Sequence, residues 1–182
     1  VKGGVVTDDF RVNAALPTIE FLRSRGAKVI LASHIEVMEG EKPTLEPVAM
    51  VLKKLGVPVV FIKDYRKAFD IIERELKNGE CVLLENLRGW DGEKNNDKKF
   101  ARELASLADI YVNDAFSVCH REHASIVGVP KYIPGYAGLQ IEKEVEHLSK
   151  AFNPIHPFLF IIGGAKFETK LPLITKFLGI AD

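Results

Sequence analysis

Five short, almost unbroken apolar runs constrain this chain more than any other feature: residues 28–33 (KVILAS), 57–62 (VPVVFI), 81–85 (CVLLE), 109–114 (DIYVND) and 158–162 (FLFII). A strand with one wet face alternates apolar and polar residues. A continuous apolar run instead fits a strand buried on both faces, as in a parallel sheet covered by helices. Helical patterns fill the intervals. Residues 16–25 run to Gly26, residues 45–55 follow Thr44 as a candidate N-cap, and residues 65–77 precede Gly79. Residues 97–107 put Phe100, Leu104 and Leu107 on one helical face. Pro17 belongs in a first turn or kinks a segment that begins near Asp9. The predicted fold is α/β: a doubly wound parallel sheet, Rossmann-like and three-layered.

The pattern changes after residue 141. Residues 142–152 (EKEVEHLSKAF) place Val145, Leu148 and Phe152 on one stripe, and the Asn153-Pro154 and His156-Pro157 pairs stop the helix. A strand at 158–162, a turn at 163–166 and a partial helix at 170–178 follow. One strand and one helix cannot bury a core of their own. The expected organisation is therefore an N-terminal domain over residues 1–138, a connecting helix and linker over 139–156, and the opening unit of a second domain over 157–182.

Charge and cysteine content exclude several functions. With 25 Lys and Arg against 25 Asp and Glu, the formal net charge is zero, and 47% of the 182 residues are hydrophobic. Neither a nucleic-acid surface nor a disordered chain is built this way. No apolar run approaches the roughly 20 residues of a membrane span, and no signal-peptide order is present. Of the two cysteines, Cys81 lies in an apolar run and Cys119 in a polar segment, so no disulfide framework exists. A reducing, cytoplasmic compartment is expected. The chain starts at Val1 rather than Met, which leads us to expect residues upstream.

In an open parallel sheet, ligands bind beyond the carboxyl ends of the strands. Those ends carry Ser33-His34, then Asn86 and Arg88, then Asn113-Asp114 leading to His120-Arg121, and finally Gly163-Gly164-Ala165-Lys166. Arg88 and Arg121, on separate loops, can converge on one small polyanion through forked hydrogen bonds. Alternatively, each pairs with a surface carboxylate. His34 is equally readable as a ligand donor or a satisfied structural histidine, and His120 and His123 as donors or loop-shaping residues. No zinc signature is complete around His-Arg-Glu-His, and Cys119 beside His120 receives no role. The Gly-Gly-Ala-Lys turn, with Lys166 and Lys170, permits close backbone approach to phosphates, but it matches neither the Walker nor the dinucleotide pattern. Residues 94–99 (KNNDKK) alternate with Asp91, Glu93 and Asp97 and read as a solvated helix entrance.

Together these segments resemble the phosphoglycerate kinase family over nearly the whole chain. The carrying motifs are Arg11-Val12-Asn13-Ala14-Ala15-Leu16-Pro17, Leu83-Leu84-Glu85-Asn86-Leu87-Arg88, Tyr111-Val112-Asn113-Asp114-Ala115-Phe116 through His120-Arg121, Tyr136-Ala137-Gly138, and Ile162-Gly163-Gly164-Ala165-Lys166. The resemblance implies an enzyme, a carboxyl phosphotransferase of glycolysis moving a phosphoryl group between 1,3-bisphosphoglycerate and ADP. It implies that Arg11, His34, Arg88 and Arg121 bind 3-phosphoglycerate, with Arg11 near the moving phosphoryl group. It further implies that Gly163, Gly164, Ala165, Lys166 and Lys170 meet ATP or ADP, with Lys166 and Lys170 joining Arg11 in catalysis, and that the protein is a monomer.

The chain also departs from the family pattern. After Ser33-His34 the family continues Leu-Gly-Arg-Pro, whereas this chain reads Ile35-Glu36-Val37-Met38. Val37 thus replaces an anion-binding Arg, at a cost of about 1.5 to 3 kcal/mol in lost contact unless a neighbour such as Lys42 substitutes. Gly89-Trp90-Asp91 stands for Phe-His-Pro, Glu122 for a small residue, and Thr169 for an Asp. The resemblance places the family's first strand before Val1, and the adenosine pocket and the acidic ligand for Mg²⁺ after Asp182. Residues 1–182 alone are therefore expected not to turn over. The competing expectation is a non-catalytic family module that binds another anion or a protein.

Overall fold

The computed structural model describes residues 1, 4–37, 39–163 and 171–182, which fall into two compact units, Val1–Ile141 and Glu142–Asp182. In the first unit, α1 (Phe10–Arg23) leads to β1 (Val29–Leu31), α2 (Glu46–Lys54) to β2 (Val59–Ile62), and α3 (Ala68–Arg74) to β3 (Cys81–Leu84). The three strands are parallel in the order β1-β3-β2, with Leu31 beside Leu83 and Ile62 beside Leu84, so their carboxyl ends emerge together.

Alternation along β3 divides the core in two. Cys81 and Leu83 face a cluster formed with Ile19 of α1 and Ala49 and Leu52 of α2. Val82 and Leu84 face the opposite cluster, with Ile72 of α3 and Phe100, Ala101 and Leu104 of the later helix α5 (Lys98–Ala105). All four β3 side chains are buried, each aliphatic one contributing about 1.5 to 3 kcal/mol of transfer free energy. Helices on both faces of a parallel sheet make the three predicted layers. The flanking strands are covered less completely, and Val60 of β2 is exposed.

Local chemistry explains several element boundaries. Gly26, at φ 80°, takes the left-handed turn that ends α1. Pro17 lies inside α1 rather than in its first turn, so the helix that begins at Phe10 absorbs it. The start of α2 is capped from two sides: Thr44 Oγ1 accepts the Glu46 N–H, and the Glu85 carboxylate accepts the Leu45 N–H and the Thr44 hydroxyl. The helix expected over 65–77 is shorter, a 3₁₀ turn at Tyr65–Lys67 followed by α3. After the short helix α4 (Asp91–Lys94), the Asp97 carboxylate caps α5 by accepting the Phe100 N–H.

The remaining strands form a separate parallel pair, β4 (Tyr111–Asn113) with β5 (Gly135–Ala137). The sequence pattern did not flag β5, because its three residues are exposed and form no apolar run. Helix α6 (Leu139–Lys150) follows at once.

The strand expected over 158–162 is absent. A strand needs a neighbour to satisfy its backbone, and none pairs with this segment among the described residues. In the unit Glu142–Asp182, Phe160 instead stacks on Phe177 of α7 (Leu171–Phe177) at a centroid distance of 3.9 Å, and Phe158 packs against the same ring at a tilt, 6.2 Å away. The Asp182 carboxylate accepts the Phe158 N–H and pairs with His156. Of the predicted turn at 163–166, only Gly163 is described, and it is exposed.

Candidate anion site at the strand ends

Asn86, the second residue after β3, organises the site. It is 2% exposed, and its side-chain amide works like an extra peptide group. Oδ1 accepts the N–H groups of Ile35 and Arg88, while Nδ2 donates to the carbonyls of Ile35 and Pro43. The Leu87 N–H also reaches Ser33 O at 3.1 Å. These bonds tie the loop after β1, which bears His34 and Glu36, to the turn after β3 that bears Arg88. Read from sequence as a candidate ligand residue, Asn86 spends its polar atoms inside the protein.

The Arg88 side chain is only 5% exposed. One guanidinium nitrogen bonds the Glu36 carboxylate, and the other oxygen of that carboxylate accepts from Lys94 Nζ at 3.2 Å. Arg88 Nε is buried and has no hydrogen-bond partner among the described residues. The Lys94 hydrogen bond, reinforced by the charges of Arg88 and Arg121, holds the Glu36 carboxyl below the usual carboxylate range. Residues 94–99 form the mostly exposed helix entrance that the sequence suggested, and Lys94 adds to it a pairing with Glu36. Nothing local in the sequence marks it, because its partner lies 58 positions away.

His34 lies partly buried in a cationic neighbourhood. Burial, then the charges of Arg88, His123 and Arg11, bring its pKa down to about 4, against a smaller opposing pull from Glu36. At neutral pH it is an uncharged imidazole, able to donate one hydrogen bond and accept another. His123 is lowered too, first by burial and then by Arg88, Arg121 and Lys94, while Glu93 opposes the shift. Glu93 is only 1% exposed; its two oxygens accept the Ser125 N–H and hydroxyl at 3.0 and 2.6 Å. His123 Nδ1 stands 3.7 Å from the same carboxylate. Glu93 was not foreseen as a structural residue, yet it fastens α4 to the segment following Arg121.

The predicted residues divide as follows. His34, Arg88, Arg121 and Arg11 share one electrostatic neighbourhood, with Arg11 exposed in the first turn of α1 and Arg121 exposed on the loop after β4. His120 is exposed. Asn113 serves its own turn, its Oδ1 accepting the Ala115 N–H, whereas Asp114 reaches across the chain, its Oδ1 accepting the Gln140 N–H in the first turn of α6. The Cys119 thiol lies against the Asn113 amide and the Ala115 carbonyl. Gly164, Ala165, Lys166 and Lys170 lie outside the described residues, as does Met38. No group of three or more His, Cys, Asp or Glu side chains gathers to hold a metal among the described residues, and no helix among them is long and apolar enough to cross a membrane.

Comparison with known proteins covers the full length. The family model described as phosphoglycerate kinase matches residues 1–182. Relatives named phosphoglycerate kinase from Dictyoglomus turgidum and Fervidobacterium nodosum are 47% and 45% identical, each over 100% of this chain and 47% of its own length. The solved structure of phosphoglycerate kinase from Coxiella burnetii aligns with TM-score 0.82 and 37% identity, over 100% of this chain and 47% of that one. The Pyrococcus horikoshii enzyme aligns with TM-score 0.85 and 34% identity, over 98% and 47%. The chain thus spans about half the length of the relatives it matches.

Proposed function

The chain belongs to the phosphoglycerate kinase family, and from that premise we propose that the intact protein transfers a phosphoryl group between 1,3-bisphosphoglycerate and ADP, or between ATP and 3-phosphoglycerate in reverse. The observation that carries this reading is the Arg88 guanidinium, buried at the carboxyl end of the central strand and already paired with a carboxylate. Its buried Nε has no hydrogen-bond partner among the described residues, which leaves a donor that a forked anion contact would satisfy.

In the proposed site Arg88 and Arg121 grip the phosphoglycerate from two loops, neutral His34 donates a hydrogen bond, and Arg11 stands near the transferred group. Phosphoryl transfer asks little covalent chemistry of a protein. It needs alignment of attacking and leaving oxygens and cations around the moving charge, which preorganised guanidinium groups supply. Asn86 contributes by fixing two of the loops rather than by touching substrate.

The nucleotide half of the reaction is assigned to Gly163, Gly164, Ala165, Lys166 and Lys170, with both lysines meeting phosphates of ATP or ADP. Residues 1–138 would form the phosphoglycerate domain, 139–156 the connecting helix and linker, and 157–182 the opening of the nucleotide domain. Ile155, Leu159, Ile161 and Leu178 are each more than three-quarters exposed, which supports further apolar chain covering them. Mg²⁺, when bound with nucleotide, would neutralise phosphate charge; its carboxylate ligand is sought beyond the described residues. Residues 1–182 alone would not turn over, and the intact enzyme is proposed to be a cytoplasmic monomer.

Calorimetric titration of the intact protein with 3-phosphoglycerate tests the site. Arg88→Ala and Arg121→Ala should each weaken binding by about 1.5 to 3 kcal/mol. Affinity unchanged by both substitutions would reject the assignment.

A further inference from the structure

We infer that Glu36 is a built-in, displaceable anion that occupies the substrate's place on Arg88, and that it sets which ligands the site accepts; the inference rests on the phosphoglycerate reading of that site. Its two oxygens engage two cations, Arg88 and Lys94, as two oxygens of a bound acid would. Burial is unequal across the pair: the Arg88 side chain is 5% exposed and the Glu36 side chain 62%. The guanidinium is therefore fixed below, while the carboxylate lies over it on the solvent side and can swing away.

The pairing is also incomplete. Glu36 contacts one terminal nitrogen of the guanidinium and leaves the buried Nε without a partner among the described residues. An anion able to span Nε and a terminal nitrogen would satisfy both in a forked arrangement. A phosphoryl group, with about two negative charges and three acceptor oxygens, displaces a single carboxylate more readily than another carboxylate can. Glu36 thus acts as a filter favouring phosphoryl anions over simple carboxylic acids, at the expense of overall affinity. Val37, beside it, supplies no charge to offset that loss.

The experiment is titration of the intact protein with 3-phosphoglycerate and, separately, with glycerate, which lacks the phosphoryl group. Glu36→Gln and Glu36→Ala should each tighten 3-phosphoglycerate about tenfold and lower its KM with kcat little changed. Glycerate should gain by a larger factor than 3-phosphoglycerate. If both Glu36 variants bind 3-phosphoglycerate no more tightly than the wild type while Arg88→Ala still weakens it, the inference is overturned and the site assignment survives. If Arg88→Ala and Arg121→Ala leave wild-type affinity unchanged, the site assignment fails and takes the inference with it.

Discussion

Asp114 occupies the space that any side chain at Gly138 would need. A Cβ built on Gly138 would meet Asp114 Oδ1 at 2.2 Å and Cγ at 2.6 Å, and the same carboxylate accepts the Gln140 N–H at the start of α6. The loop after β4 and the entry to α6 are thereby locked together. Gly138→Ala should cost about 1 to 3 kcal/mol of unfolding free energy in a denaturant titration. Gly179→Ala, where nothing lies within 4 Å, is the control and should be close to neutral. Equal stability of the two variants would contradict the close approach.

Asn86 gives a second test. Asn86→Asp turns the two amide donors facing Ile35 O and Pro43 O into acceptors, inside a buried site. Unfolding should become easier by about 2 kcal/mol or more. In the intact protein the variant should also lose affinity for 3-phosphoglycerate, since the loops of His34 and Arg88 are no longer tied. A variant of wild-type stability would show that the staple is dispensable.

Acid should weaken the fold in a window belonging to histidine. His34 falls from an ordinary 6.5 to about 4, so between these values the unfolded chain holds a proton that the native state refuses. Stability therefore declines as pH drops from about 6.5 towards 4. His123 is shifted in the same direction. The lowered carboxylates Glu36, Asp64, Glu146 and Asp182 contribute stability that is lost at lower pH, below their ordinary values of 3.8 to 4.5. Thermal midpoints measured from pH 7 to 4.5 should fall, and His34→Gln should flatten the slope. A slope unchanged by that substitution would contradict the assignment.

Val37→Arg addresses the missing cation. In the intact protein it should tighten 3-phosphoglycerate by about 1.5 kcal/mol or more, as an added guanidinium contact would. Unchanged affinity in a titration would mean that Lys94 already meets that need.

The parallel core was legible because burial on both faces leaves an unbroken apolar run, and β3 is such a strand throughout. The partner of β4, β5, was not, because three exposed residues held by backbone pairing leave no side-chain pattern. The run at 158–162 misled for the opposite reason: it is as apolar as a strand, but aromatic packing on Phe177 accounts for Phe158 and Phe160 without a ladder. At the site, His34, Arg88 and Arg121 were visible as polar residues at strand ends. A surface carboxylate on Arg88 was one of the two readings open for that residue, but its identity as Glu36, Lys94 on Glu36 and buried Glu93 on Ser125 were not visible, since each pairing joins residues at least 32 positions apart.

The most direct test is 3-phosphoglycerate-dependent ATP consumption by the intact, folded gene product. We expect turnover that requires both substrates and is sharply reduced by Arg121→Ala. A folded, full-length protein that consumes no ATP in the presence of 3-phosphoglycerate would contradict the kinase reading and leave a family module that binds without catalysing.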